Sequence, residues 1–179
     1  DPRAHTGQAI SYAVSPRGAC HNQSDFFMVE MGNSMDEIGV PMTERLVDSG
    51  KAGAVARHQH FRTVQNSLTM CFFASVSAAE VAGLLSAVSQ REIDVEEMMT
   101  AGERAWNLKR LYNGRLGLSA ANDKLPKLLL EPLEEGGQMG HVPDMQTLLG
   151  EYYAASGWEP VSGMPSAEKR RALGLEFTQ

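Results

Sequence analysis

The helical pattern from Asp94 to Gly114 limits the fold of this chain more than any other stretch. Asp94-Val95-Glu96-Glu97 reads as a capping box, with Asp94 capping forward and Glu97 reaching back. Val95, Met98, Ala101, Gly102, Ala105, Leu108 and Tyr112 then recur at i, i+3, i+4 spacing, and Met99 and Trp106 widen the stripe. Asn113-Gly114 supplies the stop. A rod of that length, roughly 30 Å, must bury its stripe against other elements. The rest of the sequence offers helices for that task and no convincing strand pair.

Gly7 to Val14 predicts a short helix with Ala9, Ile10, Ala13 and Val14 on its apolar face, ended by Ser15-Pro16. Arg17 to His21 follows as a loop made permissive by Gly18. Residues 22–48 carry no sustained period, and one short helix is expected near Thr43–Asp48. Ser49 is the expected N-cap of a helix reaching about Gln65, with Ala54, Val55, His58, Phe61, Arg62 and Gln65 as its stripe.

Ser77-Ala78-Ala79-Glu80 is a second capping box, opening a helix to about Val88 expected to bury Val81, Leu84, Leu85 and Val88. From Leu116 to Pro143 prolines and glycines allow no long helix. Lys127 to Leu130 can form a single turn, and Leu125, Leu128, Leu129 and Leu133 would anchor this arm. Asp144 caps an amphipathic helix stopped by Gly157, and Ser166 caps a last helix ending at Leu173-Gly174. The expected class is all-α: an irregular helical domain with a long loop-rich arm between its central and C-terminal helices.

At 179 residues the chain can bury a sizeable core. A net charge of −6, with Lys169-Arg170-Arg171 as the one dense basic run, argues against a nucleic-acid surface. No apolar run approaches the roughly 18 residues of a membrane span. Two cysteines far apart make no disulfide framework and point to a reduced, cytoplasmic setting. The start at Asp1 rather than Met fits a fragment or a processed product.

Cys71 lies between Met70 and Phe72-Phe73. On residues alone it reads as a buried small hydrophobe, the usual state of an isolated cysteine. The rival is a thiolate metal ligand, but an iron–sulfur cluster takes four thiolates and this chain has two cysteines. His21 reads as a surface group or, with Arg17 four residues earlier, as a proton carrier beside a phosphate-gripping guanidinium. His5, His58, His60 and His141 read as structural or solvent-exposed. No phosphate-binding glycine motif, zinc pattern or Ser–His–Asp order can be assembled.

Several of these stretches together resemble the C-terminal part of the aldehyde ferredoxin oxidoreductase family, tungsten- or molybdenum-pterin enzymes. They are Tyr12-Ala13-Val14-Ser15-Pro16-Arg17-Gly18-Ala19-Cys20-His21, Asn66-Ser67-Leu68-Thr69-Met70-Cys71-Phe72 and Gly102-Glu103-Arg104-Ala105-Trp106-Asn107-Leu108. Asp123-Lys124-Leu125-Pro126, Leu149-Gly150-Glu151-Tyr152-Tyr153 and Gly157-Trp158 continue the series in family order.

The resemblance implies that Cys71 is the fourth ligand of a [4Fe–4S] cluster whose other three cysteines lie upstream. It implies that Arg17, Asn66 and Met70 contact the pterin and that His21 stands close to the metal, moving a proton or orienting substrate. Residues 1–119 would be a cofactor-facing helical core, and 120–179 a wrapping arm with the C-terminal helices. The implied reaction is oxidation of an aldehyde to a carboxylic acid with ferredoxin as electron acceptor, and the chain alone would be inactive. Its implied partners are the N-terminal domains of the same enzyme, ferredoxin and a small aldehyde, with room for a homo-oligomer.

Alternatives are a relative acting on an aromatic acyl thioester, or a non-catalytic structural or assembly subunit. A helical interaction module without cofactors is a third. The family motif ends Asp-x-x-Gly-Leu-Cys, and here Asn66, Thr69 and Met70 replace its Asp, Gly and Leu. Gln23 stands where a basic residue often follows the active-site His.

Overall fold

The computed structural model describes residues 1–177. Seven α-helices carry the fold: α1 (Thr6–Ala13), α2 (Phe27–Glu30), α3 (Ala52–Ser67), α4 (Ala78–Ser89), α5 (Val95–Arg115), α6 (Met145–Ser156) and α7 (Ala167–Ala172). Among the described residues there is no strand, only isolated bridges such as Met35 to Val40 and Trp158 to Pro165. The all-α class stands.

The central packing is α3 against α5 and α6, with α1 laid across α3 and α6 and α4 against α5. The α3–α5 contact is close because α5 presents Gly102. A Cβ there would lie 2.3 Å from the carbonyl oxygen of His60 and 2.9 Å from a Val64 methyl. The absence of a side chain is thus what lets the two helices meet. Phe61, Val55, Trp106, Met98, Leu148 and Tyr152 fill the core around that crossing.

Most of the helix signals act as read. Asp94, Ser77, Asp144 and Ser166 each accept a backbone N–H of their helix's first turn, and the Ser77–Glu80 box closes reciprocally. At Asp94 only the forward half forms, because Glu97 pairs instead with Arg91 at 2.6 Å.

Other expectations are corrected. Ser49 does not cap α3, which starts at Ala52. The cap position is Lys51, whose ammonium is drawn into the core by Glu30 at 2.6 Å and by Thr6 Oγ1 at 2.9 Å. The segment Thr43–Asp48 is not helical, because its backbone is used elsewhere. Thr6 N–H donates to the Arg45 carbonyl, and Thr6 Oγ1 donates to that of Val47. The short helix of this region is α2 instead.

The buried face of α5 is turned from the apolar stripe. Met98, Met99, Gly102, Trp106, Asn107 and Arg110 are inside, whereas Ala101, Leu108 and Tyr112 are exposed. Asn107 and Arg110 can be inside because each finds partners there, described below. On α4, Val81 is buried but Leu84 and Val88 are exposed, the latter 86% so. In the arm, the single turn at Lys127–Leu130 forms and Leu125 is buried, but Leu128 faces out. His58 and His60 are both buried.

Candidate functional site

Pro16 ends α1, and the chain then runs through an exposed loop to a single 3-10 turn at His21–Gln23. Asn113, near the end of α5, clamps this loop by donating to the Pro16 carbonyl at 2.7 Å. Arg17 is exposed, and its guanidinium donates to Cys20 Sγ at 2.9 Å. Burial pushes the Cys20 thiol up, but the Arg17 guanidinium and the N–H groups of Asn22 and Gln23 outweigh it, and the thiol lies below its ordinary value. Arg17 has no carboxylate partner among the described residues. Lys109, half-buried on α5, is pulled below the usual lysine value by desolvation and then by the Arg17 charge. Two cations therefore share one corner, an arrangement that an anion would relieve.

The second stretch leaves the end of α3. Asn66 donates from Nδ2 to the Asn22 carbonyl at 3.0 Å, so the loop carrying His21 and the loop carrying Cys71 are neighbours. Asn66 Oδ1 accepts no bond from the described residues, and an aspartate here could not make the bond to Asn22 at all. Thr69 takes a left-handed conformation, φ 55°. A β-branched residue is an outlier in that region. Met70 is half-buried against the core, while Leu68, Thr69, Cys71, Phe72 and Phe73 are all exposed.

Cys71 is exposed and free, which overturns its reading as buried filler. His21 is exposed as well. Arg17 and His21 therefore lie on one open loop and Cys71 on another, with Asn66 at the end of α3 bridging to the first and Met70 anchoring the second in the core. Gln23 does not join them, for it is buried. The interior beneath is polar. Asp25, Arg62, His58 and Ser24 are all buried, with Arg62 Nε 3.0 Å from Asp25 Oδ1 and Ser24 Oγ 2.9 Å from His58 Nδ1.

Among the described residues no three His, Cys, Asp or Glu side chains gather to hold a metal ion. A metal or cluster at Cys71 would need further ligands from outside these residues.

A family model described as aldehyde ferredoxin oxidoreductase, domains 2 and 3, matches residues 1–175. The chain belongs to this family. It is 32% identical to the tungsten-containing aldehyde ferredoxin oxidoreductases of Pyrococcus abyssi, Pyrococcus horikoshii and Pyrococcus furiosus over 98% of its length. It spans only 29% of the length of those relatives. The family model covers α1 through α7, and both loops of the candidate site lie inside it.

Residue-by-residue reading did not pick out three contributors to this face. Lys109 and Asn113 lie one turn apart on α5 and meet the Arg17 loop only through tertiary packing. By spacing, Arg62 falls in the i, i+3, i+4 stripe of α3 with His58, Phe61 and Gln65. A hint was present, since a charged residue on a buried helical face calls for a partner.

No helix among the described residues is long and apolar enough to cross a membrane.

Proposed function

We propose that this chain forms one wall of the active site of a tungsten-pterin oxidoreductase that oxidises aldehydes to carboxylic acids and delivers electrons to ferredoxin. The single observation that carries the reading is the Asn66–Asn22 bond, which joins the stretch carrying the exposed Cys71 to the loop carrying the exposed Arg17 and His21. When bound, the metal-pterin and its neighbouring [4Fe–4S] cluster supply the redox chemistry. The residues of the chain fit those groups by chemistry. A thiolate without another role suits a shared cluster, and a guanidinium with Lys109 behind it suits the pterin phosphates.

Arg17 grips and orients, and the cost of holding it beside Lys109 is repaid when an anion arrives. Asn66, with its free carbonyl oxygen, and Met70 border the pterin. His21 takes or gives the proton that accompanies aldehyde oxidation. Cys71 supplies one thiolate, the other three coming from the rest of the enzyme. The N-terminal domains are the partner that covers this face.

The test is C71S in the full-length enzyme, prepared without oxygen. Expected are loss of most of the cluster iron and of its electron paramagnetic resonance signal, with H21N lowering kcat at least 100-fold at unchanged iron. Full iron in C71S overturns the reading. So does a complete cluster on the 179-residue chain alone, for which elemental analysis is expected to find no stoichiometric iron or tungsten.

A further inference from the structure

The C-terminal half of α3 reaches the open face with two side chains. Asn66 does so at the rim. Arg62, one turn earlier, does so from beneath and is buried. Its Nε lies 3.0 Å from Asp25 Oδ1, both side chains being only 6% exposed. Asp25 follows the His21–Gln23 turn by two residues. On the other side, the Arg62 guanidinium carbon sits 4.2 Å from the centroid of the Phe72 ring. Phe72 is bonded directly to Cys71.

We infer that Arg62 is a positioning residue: its buried guanidinium locks the loop of His21 to the loop of Cys71, pairing with Asp25 on one side and stacking under Phe72 on the other. What the two loops hold is taken from the reading above, but the lock is a property of this chain.

Stability alone is a poor account of this pair. Burial pushes the Asp25 carboxyl up and the Arg62 guanidinium down, so both charges are disfavoured where they sit. A buried ion pair often gains little over apolar packing. The guanidinium is aimed by a second contact. Gln65 Oε1 accepts from Arg62 Nη1 at 2.6 Å, which leaves the face of the guanidinium free to take an aromatic ring. Phe72 is held by that face, whereas Phe73, one residue on, is 85% exposed. The same charge pair would act on a cluster at Cys71. A cation nearby favours the reduced, more negative cluster and raises its potential, and an anion lowers it.

Two measurements test the lock. In the 179-residue chain, F72A removes the ring from a half-open position and leaves the ion pair intact, while R62K keeps the charge and loses the flat face. Both are expected to raise hydrogen exchange several-fold in residues 67–75 and 20–25 and to leave 97–112 unchanged. Wild-type exchange in both loops overturns the inference, and if R62K fails to fold, F72A decides alone.

In the cofactor-loaded full-length enzyme, D25N exposes the Arg62 charge and is expected to raise the cluster potential. R62Q is expected to lower it, and R62K to restore it. A merely structural role predicts no such opposite signs, so shifts of one sign or none overturn the inference. Should C71S keep its iron, the functional reading falls, and the exchange measurement still decides the lock.

Discussion

The two sides of this domain treat polar groups in opposite ways. On the closed side, Arg110 donates from Nη1 and Nη2 to the two carboxylate oxygens of Asp123 at 2.8 and 2.6 Å and from Nε to the Gly163 carbonyl at 2.7 Å. Tyr153 donates its hydroxyl to the same carboxylate, and Trp158 lies under the guanidinium while its own N–H goes to Asn107 Oδ1 at 2.7 Å. Trp106 donates to Tyr152, which donates to Gln59. On the open side, Arg17, His21 and Cys71 are exposed, and none has a carboxylate partner among the described residues. Polar groups paired within the chain fasten the arm to α5, while those of the open side face solvent. The difference separates what holds the domain together from what it offers.

The sharpest way to break that contrast is Asp123→Ala. It strands a buried guanidinium and a buried phenol together, and loss of one partner of a buried pair costs about 3–5 kcal/mol. A fall in the thermal midpoint of roughly 10 °C is expected for a domain of this size. A loss below about 1 kcal/mol in urea titration would mean that the closed side is not the fastening. Next in size is Gly102→Ala. The added methyl meets the His60 carbonyl oxygen head on, and backbone cannot swing aside as a side-chain tip can. Overpacking of this kind costs about 1–3 kcal/mol, measurable by the same titration. Arg17→Ala, on the open side, should stay within about 0.5 kcal/mol of wild type.

Acid should reveal the closed interior in a different way. Burial, aided by the Arg62 charge, holds His58 down to about 3, and burial, partly opposed by Glu103, holds His60 down to about 4. Unfolded, both take a proton near 6.5, so between that pH and their folded values the unfolded chain binds more protons. Stability is therefore full above about 6.5 and falls as pH drops, by on the order of 1 kcal/mol per pH unit for each histidine. Asp25 and Glu30, raised chiefly by burial, oppose this, since protonating them in the fold relieves a charge. Thermal midpoints from pH 7 to 4.5 should fall, and His60→Phe should flatten the decline. An unchanged slope in that variant would place the acid sensitivity elsewhere.

The legible parts of this fold were those fixed by local chemistry. Caps at Ser77, Asp94, Asp144 and Ser166 and left-handed stops at Gly157 and Gly174 depend on neighbours within a turn, and they mark the helix ends correctly. Which face a helix buries depends on what it meets, and that part was hidden. The α5 stripe looked apolar through Leu108 and Tyr112, yet the buried face runs through Asn107 and Arg110, whose partners lie far along the chain. Leu84 and Val88 on α4 look like core by spacing and are not. The start of α3 was misread for a similar reason, since Lys51 is placed by Glu30 and no cap residue is involved. The site was legible only as a family-ordered series. Neither Asn66 donating to Asn22 nor Arg62 bridging Asp25 and Phe72 leaves a mark in local spacing.

The smallest effect tests the open loop from the opposite direction, because there a change should help. Thr69 is held at φ 55° between Asn66 and Cys71, and a non-glycine residue in that region carries strain of about 1 kcal/mol or more. Thr69→Gly removes the strain and gives back part of it as greater freedom of the unfolded chain. It also forfeits an exposed hydroxyl bond to the Leu68 carbonyl. The net gain expected is about 0.5–1 kcal/mol, read as a shift in the urea midpoint at unchanged slope. The same exchange at Thr63, buried within α3, has no strain to relieve and should cost more than 1 kcal/mol. If Thr69→Gly also destabilises, the loop before Cys71 is supported by its threonine rather than strained by it. The open side would then be as tightly built as the closed one.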